Sequence, residues 1–174
     1  MKYSHWIVAL LLLTISASPA AADPPDYSGR WKINLTKSSM EEIYPESIPQ
    51  TILDIKLEGA LLSIRRTIAT TPGGDAVERR YTTDGKECLN SGKGIKDLKG
   101  VCRLENGRIL ISCEMEGAMA TMAAGSGAMS SLEYFRYEVD EEYSLSADGR
   151  ELTLKQTLSL PDGKKSIRLL FERS

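Results

Sequence analysis

The sequence predicts an all-β fold, an antiparallel up-and-down meander of about eight to ten strands closed into a barrel. Turn dipeptides recur at hairpin spacing, the segments between them alternate in polarity, and the stretch from Ser28 to Leu35 supplies a tryptophan-bearing first strand. Sequential antiparallel neighbours leave two free sheet edges, and closure is the usual way to remove them.

The first residues stand apart from that pattern. Lys2 and His5 precede an apolar run from Trp6 to Ile15, then Ser16 to Ala22 are small and Asp23-Pro24-Pro25 is polar. This is the composition of a secretory signal peptide, with Ala20 and Ala22 fitting the small-x-small rule for cleavage after Ala22. The run is too short for a spanning helix, and no cysteine follows it for lipid attachment. Removing the first 22 of 174 residues leaves 152, enough for one domain, 23–174, in a secreted or periplasmic compartment.

That cut also removes His5, the single histidine of the chain. Without histidine, Ser-His and Cys-His nucleophile pairs and nearly every ordinary zinc site are excluded. With Lys2 and His5 gone, 21 basic residues face 24 acidic ones with signs interspersed, which argues against nucleic acid or an anionic membrane as partner.

Within the first strand Trp31, Ile33 and Leu35 share one face, Arg30, Lys32 and Asn34 the other, and Gly29 lets another backbone approach. From Lys37 to Gln50, prolines and serines break the pattern, leaving a loop with one helical turn near Met40 to Tyr44. Glu58-Gly59, Pro72 to Asp75, Asp84-Gly85, Asn106-Gly107, Asp148-Gly149 and Asp162-Gly163 then mark hairpin turns. Between them lie alternating faces: Leu53 to Leu57, Leu62 to Ile68, Val77 to Thr83, Ile109 to Met115, Phe135 to Leu145, Leu152 to Leu160 and Ile167 to Phe171. A less regular strand runs near Gly100 to Glu105.

Gly29-x-Trp31 at the start of such a chain resembles the opening strand of the lipocalins, and Gly29-Arg-Trp-Lys-Ile33 is similar to the start of fatty-acid-binding proteins, both calycin barrels. The resemblance implies a closed barrel with a ligand-holding lumen, and the long first loop fits the lipocalin side of it. It further implies that an arginine of the last strand, Arg168 or Arg173, packs across Trp31. Arg79-x-Tyr81 is similar to the carboxylate-binding pair of fatty-acid-binding proteins, although there the pair lies in the final strand.

The candidate binding residues come from polar side chains on apolar-phase faces: Arg66, Arg79, Glu141 and Gln156, with Tyr81 and Tyr137 beside them. In a dry core they would be penalised heavily, whereas a wet lumen tolerates them. The competing reading is a phase shift of one residue, or a place at the rim. Glu141 and Glu142 are adjacent in a strand, so they face opposite ways and cannot flank one bond.

Cys88, Cys102 and Cys113 predict one disulfide and one buried thiol in an oxidising compartment. Cys88 to Cys102 is favoured over Cys102 to Cys113, because a loop adjusts to the bond more readily than a ladder. Gly117 to Ser131, rich in Gly, Ala, Ser and Met, is read as a long connection, with a lid and a Cu(I) thioether site from Met115, Met119 and Met122 as the functional alternatives. Asn34-Leu35-Thr36 is a glycosylation sequon placed in a strand.

The expected function is an extracytoplasmic protein binding a small, mostly apolar or lipid-like molecule, without catalytic set, cofactor, metal or stable membrane insertion. A filled barrel that binds another protein is the first rival, and a carboxylate-only enzyme the second.

Overall fold

In a computed structural model, residues 25–40, 49–69, 75–92, 96–122, 129–160 and 163–174 are described. The signal-peptide reading of residues 1–22, the helical turn beyond Met40 and the Pro72-Gly73-Gly74 turn lie outside these residues.

Alternation of buried and exposed residues runs through strands β1 (Gly29–Ile33), β3 (Thr51–Glu58), β4 (Leu61–Ile68), β7 (Leu98–Glu105) and β10 (Glu151–Leu160). β2 (Ser39–Met40), β5 (Asp75–Thr82), β6 (Asp84–Asn90), β8 (Arg108–Met122), β9 (Met129–Leu145) and β11 (Gly163–Arg173) complete the set. Ten strands follow the order β5-β4-β3-β1-β11-β10-β9-β8-β7-β6, and β2 lies against β11. All the pairings are antiparallel, with Trp31 of β1 set between Leu53 and Arg173. The barrel is therefore all-β and nearly closed, with its first strand joined to its last.

Asn106 and Gly107 take positive φ angles of 51° and 71° in the tight turn between β7 and β8, as an Asn-Gly hairpin requires. β6 escapes the sequence pattern. Its residues, Asp-Gly-Lys-Glu-Cys-Leu-Asn, do not alternate, and a bulge interrupts its pairing with β7 between Asp84 and Glu87.

The Gly117 to Ser131 reading is corrected too. β8 and β9 stay paired from Ile109 with Tyr143 out to Met122 with Met129. The stretch is a hairpin arm for most of its length, and methionines spaced for one helix face lose that relation in an extended strand. Among the described residues no group of three or more His, Cys, Asp or Glu is placed to hold a metal ion.

At one end the barrel is plugged. Tyr27, Trp31 and Phe171 are fully buried there, and Trp31 Nε1 donates to the Tyr27 carbonyl at 3.1 Å. The Tyr27 hydroxyl donates to the carbonyls of Gly107 (2.7 Å) and Tyr143 (3.0 Å). Arg173 lies 4.5 Å from the centre of the Trp31 ring and donates to the carbonyls of Ser28 and Asp26, both at 2.9 Å. Gly29, at φ 140°, makes room for it, because a Cβ there would come within 3.1 Å of Arg173 Nη1. Arg168, the other predicted partner of Trp31, sits on the exposed phase of β11 opposite Ser39 and Lys155. The strand period decides this, since Ile167, Leu169 and Phe171 take the inward positions.

The disulfide expectation is likewise overturned: Cys88, Cys102 and Cys113 are all free. Register explains why, because Cys88 lies opposite Gly100, and Gly100 opposite Cys113. Cys102 is thus two residues off both, a diagonal beyond comfortable disulfide reach.

Candidate functional site

Above the plug the inward faces of β4, β5, β9 and β10 bring polar residues together. The phases read from sequence place Arg66, Arg79, Tyr81, Tyr137, Glu141 and Gln156 all inside the barrel. Glu141 is the hub. Its two oxygens accept from Arg79 Nη2 at 3.0 and 2.9 Å, from Gln156 Nε2 at 2.7 Å and from the Tyr143 hydroxyl at 2.8 Å. Burial opposes its ionisation, but Arg79 and then Arg66 hold its carboxyl below the usual carboxylate range. Burial likewise opposes the charge on Arg79, and Glu141 restores it. The pair stands as an ion pair with its hydrogen-bonding capacity well used, the condition under which a buried charge is tolerated.

Arg79 also donates through Nη1 to Cys113 Sγ at 3.1 Å and approaches Met115 Sδ at 3.4 Å. Burial pushes the Cys113 and Cys102 thiols up, Cys102 to about 12, so neither is a nucleophile at neutral pH. The Tyr81 ring lies across Gly100, where a Cβ would come within 2.6 Å of it. Its hydroxyl is buried with no hydrogen-bond partner.

Arg66 is treated differently from Arg79. Its Nη2 lies 3.5 Å from Glu141 Oε1, an ion-pair contact without hydrogen-bond geometry, and its buried Nε and Nη2 have no hydrogen-bond partner. One carboxylate thus serves two guanidinium groups. Both arginines line a cavity of about 570 Å³ together with Ile68, Val77, Leu98, Met115, Tyr137 and a second carboxylate, Glu116. Tyr81, Glu141 and Gln156 do not line it and belong to the layer beneath. Hollows of about 440, 960 and 1000 Å³ elsewhere are grooves on the outer face of β3 to β5 and among the turns at the plugged end.

Sequence reading missed several contributors. Met115 falls on the inward alternating face read from sequence but not among the candidate binding residues, and Glu116 falls on the outward phase, although its Oε2 is buried without a hydrogen-bond partner and its side chain presses on Gly92. Asn90 gave no signal because β6 does not alternate. Asn34, of the sequon, uses Oδ1 to cap a turn at Thr36 and Lys37 and donates through Nδ2 to Glu172 at 2.8 Å.

The strand order has one interruption: β5 and β6 are consecutive in the chain but share no ladder. Side chains hold this seam instead. The Arg80 amide donates to Asn90 Oδ1 at 2.7 Å, Asn90 Nδ2 donates to the Arg80 carbonyl at 3.2 Å, and the Thr82 amide donates to Cys88 Sγ at 3.3 Å.

No protein-family model matches the chain, and no curated protein matches it in sequence. Solved structures match it in shape. Zebrafish ileal bile acid-binding protein complexed with cholic acid aligns with a TM-score of 0.54 at 17% identity, over 85% of this chain and 98% of that one. A REP1-NXSQ fatty acid transporter aligns with a TM-score of 0.55 at 11% identity, over 86% and 96%. The fold is that of the calycin barrels. A secretary abundant heat soluble protein from Ramazzottius varieornatus also aligns with this calycin-type barrel, with a TM-score of 0.55 at 12% identity, over 85% and 95%. At such identities the likeness is one of fold.

Proposed function

We propose that this calycin-type barrel is a binding protein that holds one small, mostly apolar molecule in its lumen, in an extracytoplasmic compartment and without catalysis. The observation that carries the reading is the cavity of about 570 Å³ whose wall holds the Arg66 guanidinium, with its buried Nε and Nη2 free of any hydrogen-bond partner. Its size lies within the range of small-molecule sites, and its lining combines Ile68, Val77, Leu98 and Met115 with the polar Arg66, Arg79, Glu78, Glu116, Ser91 and Tyr137. Two neighbours in fold support it, one a bile acid-binding protein complexed with cholic acid and the other a fatty acid transporter. The compartment rests on the signal-peptide composition of residues 1–22.

Arg66, Arg79 and Tyr137 are the residues that would touch the ligand, Arg66 pairing with an acidic group. Glu141, Gln156 and Tyr81 form the layer on which it rests. Native mass spectrometry of purified protein is expected to show a co-purified amphipathic molecule. Displacement of 8-anilinonaphthalene-1-sulfonate by dodecanoate would follow its release. A protein that carries no such molecule and binds neither probe is the filled barrel of the rival reading, which the side-chain plug around Trp31 would then represent throughout.

A further inference from the structure

We infer that the ligand of this lumen is bifunctional, an amphipathic acid whose far end carries a hydrogen-bond donor, hydroxyl or ammonium, that Glu116 accepts; this rests on the binding reading above. The cavity wall holds unsatisfied groups of both kinds. Arg66 contributes donors, Nε and Nη2, and Glu116 contributes an acceptor, Oε2, all of them buried and without a hydrogen-bond partner. Buried polar atoms in a folded protein are nearly always bonded, so donors and an acceptor left open on one cavity call for an occupant that supplies the converse of each. A plain fatty acid answers Arg66 but lays hydrocarbon against Glu116, which leaves a desolvated carboxylate oxygen unmet.

The neighbouring carboxylates are already committed. Glu78, also on the cavity wall, accepts from Arg80 Nε at 2.8 Å and from Ser63 Oγ at 3.1 Å. Glu114 accepts from the Lys99 amide at 3.0 Å and from Arg136 Nη1 at 3.3 Å. Glu116 is held by packing instead. β7 pairs with β8 only as far as Cys113, and past that point Gly92 lies so close to the Glu116 carboxyl that a Cβ there would come within 2.5 Å of its Cδ. Register sets the two open groups apart. Glu141, which the Arg66 guanidinium touches, pairs with Ile111, whereas Glu116 pairs with Arg136 further along β8. By the rise of a strand that separation is about 16 Å, so the donor belongs at the far end of a medium-length chain and not beside the acid.

Displacement of 8-anilinonaphthalene-1-sulfonate by dodecanoate, 12-hydroxydodecanoate and 12-aminododecanoate near neutral pH tests this. The parent is expected to bind at least one of the ω-substituted acids as tightly as dodecanoate, although water favours their polar ends. Glu116→Leu should weaken that acid about tenfold relative to dodecanoate, the worth of one hydrogen bond to a charged group. Glu116→Gln separates the donors, because its amide oxygen still accepts from a hydroxyl but no longer balances an ammonium. Trp31 emission like that of the parent shows that each variant is folded. Affinities relative to dodecanoate that are the same in the parent and in both variants overturn Glu116 as the acceptor. A parent that binds dodecanoate and rejects both ω-substituted acids overturns the bifunctional ligand. A parent that binds no probe at all overturns the binding reading instead.

Discussion

The two halves of the lumen solve the same problem in opposite ways. Around Trp31 every polar atom introduced by a large side chain has a protein partner: the indole N–H, the Tyr27 hydroxyl and the Arg173 guanidinium all end on backbone carbonyls. Around Arg66 the accounts stay open, with buried nitrogens unbonded beside a cavity. A closed set of partners makes a plug, whereas an unclosed set is the usual mark of a site shaped for something besides the chain itself. The hub at Glu141 divides them.

The comparison breaks most readily at the plug. Trp31→Ala should cost about 3–5 kcal/mol in denaturant unfolding, the range for a buried large aromatic, and Trp31→Phe should be milder. Emission of the parent should be blue-shifted and move red on unfolding; emission like that of indole in water would remove Trp31 as the anchor. Next comes the hub, where Glu141→Leu leaves Arg79 buried without its carboxylate and should cost about 3–4 kcal/mol. Pairing it with Arg79→Met should recover much of that loss. If the double variant is as unstable as the single one, the hub is not acting through charge compensation.

Smaller effects sharpen the contrast. Tyr27→Phe removes the hydroxyl that donates to the Gly107 and Tyr143 carbonyls, for which about 1–2 kcal/mol is expected in urea titrations. Burial pushes the Tyr27 phenol from 10.0 up to about 12. The unfolded chain releases that proton first, so the contribution is complete below pH 10 and is lost as pH rises towards 12. Alkaline unfolding followed by tyrosinate absorbance should show ionisation coupled to unfolding, less steeply in Tyr27→Phe. Arg66→Gln should leave stability within about 0.5 kcal/mol of the parent, because its contact with Glu141 is longer than that of Arg79 and its buried Nε and Nη2 make no hydrogen bond. The same variant should weaken an anionic probe about tenfold, the worth of one charge-assisted hydrogen bond. Loss of stability with unchanged probe affinity would place Arg66 in the plug's class.

Much of this was legible in the chain before any coordinates. Alternation put Arg79, Glu141 and Gln156 on inward faces, since a strand's period of two leaves a side chain only two directions. Asn106-Gly107 located a turn because few other residues accept positive φ there. Asn90 and Gly100 were silent for a physical reason: each acts on a strand that is not its sequence-adjacent partner in a regular ladder. The choice between Arg168 and Arg173 was equally hidden, as both suit a last strand and only register selects one.

What the sequence alone determined is therefore everything governed by local periodicity and turn chemistry: the all-β class, the inward set, the anchor at Trp31 and the absence of histidine beyond His5. What the tertiary structure decided depends on which strands meet and in what register. Closure of β1 onto β11, the diagonal that keeps three cysteines apart, the sharing of one carboxylate by two arginines and the unladdered seam all follow from pairings between distant segments. A one-residue slip would rewrite each of them without altering composition or pattern, because register is a relation between two strands and is carried by neither one alone.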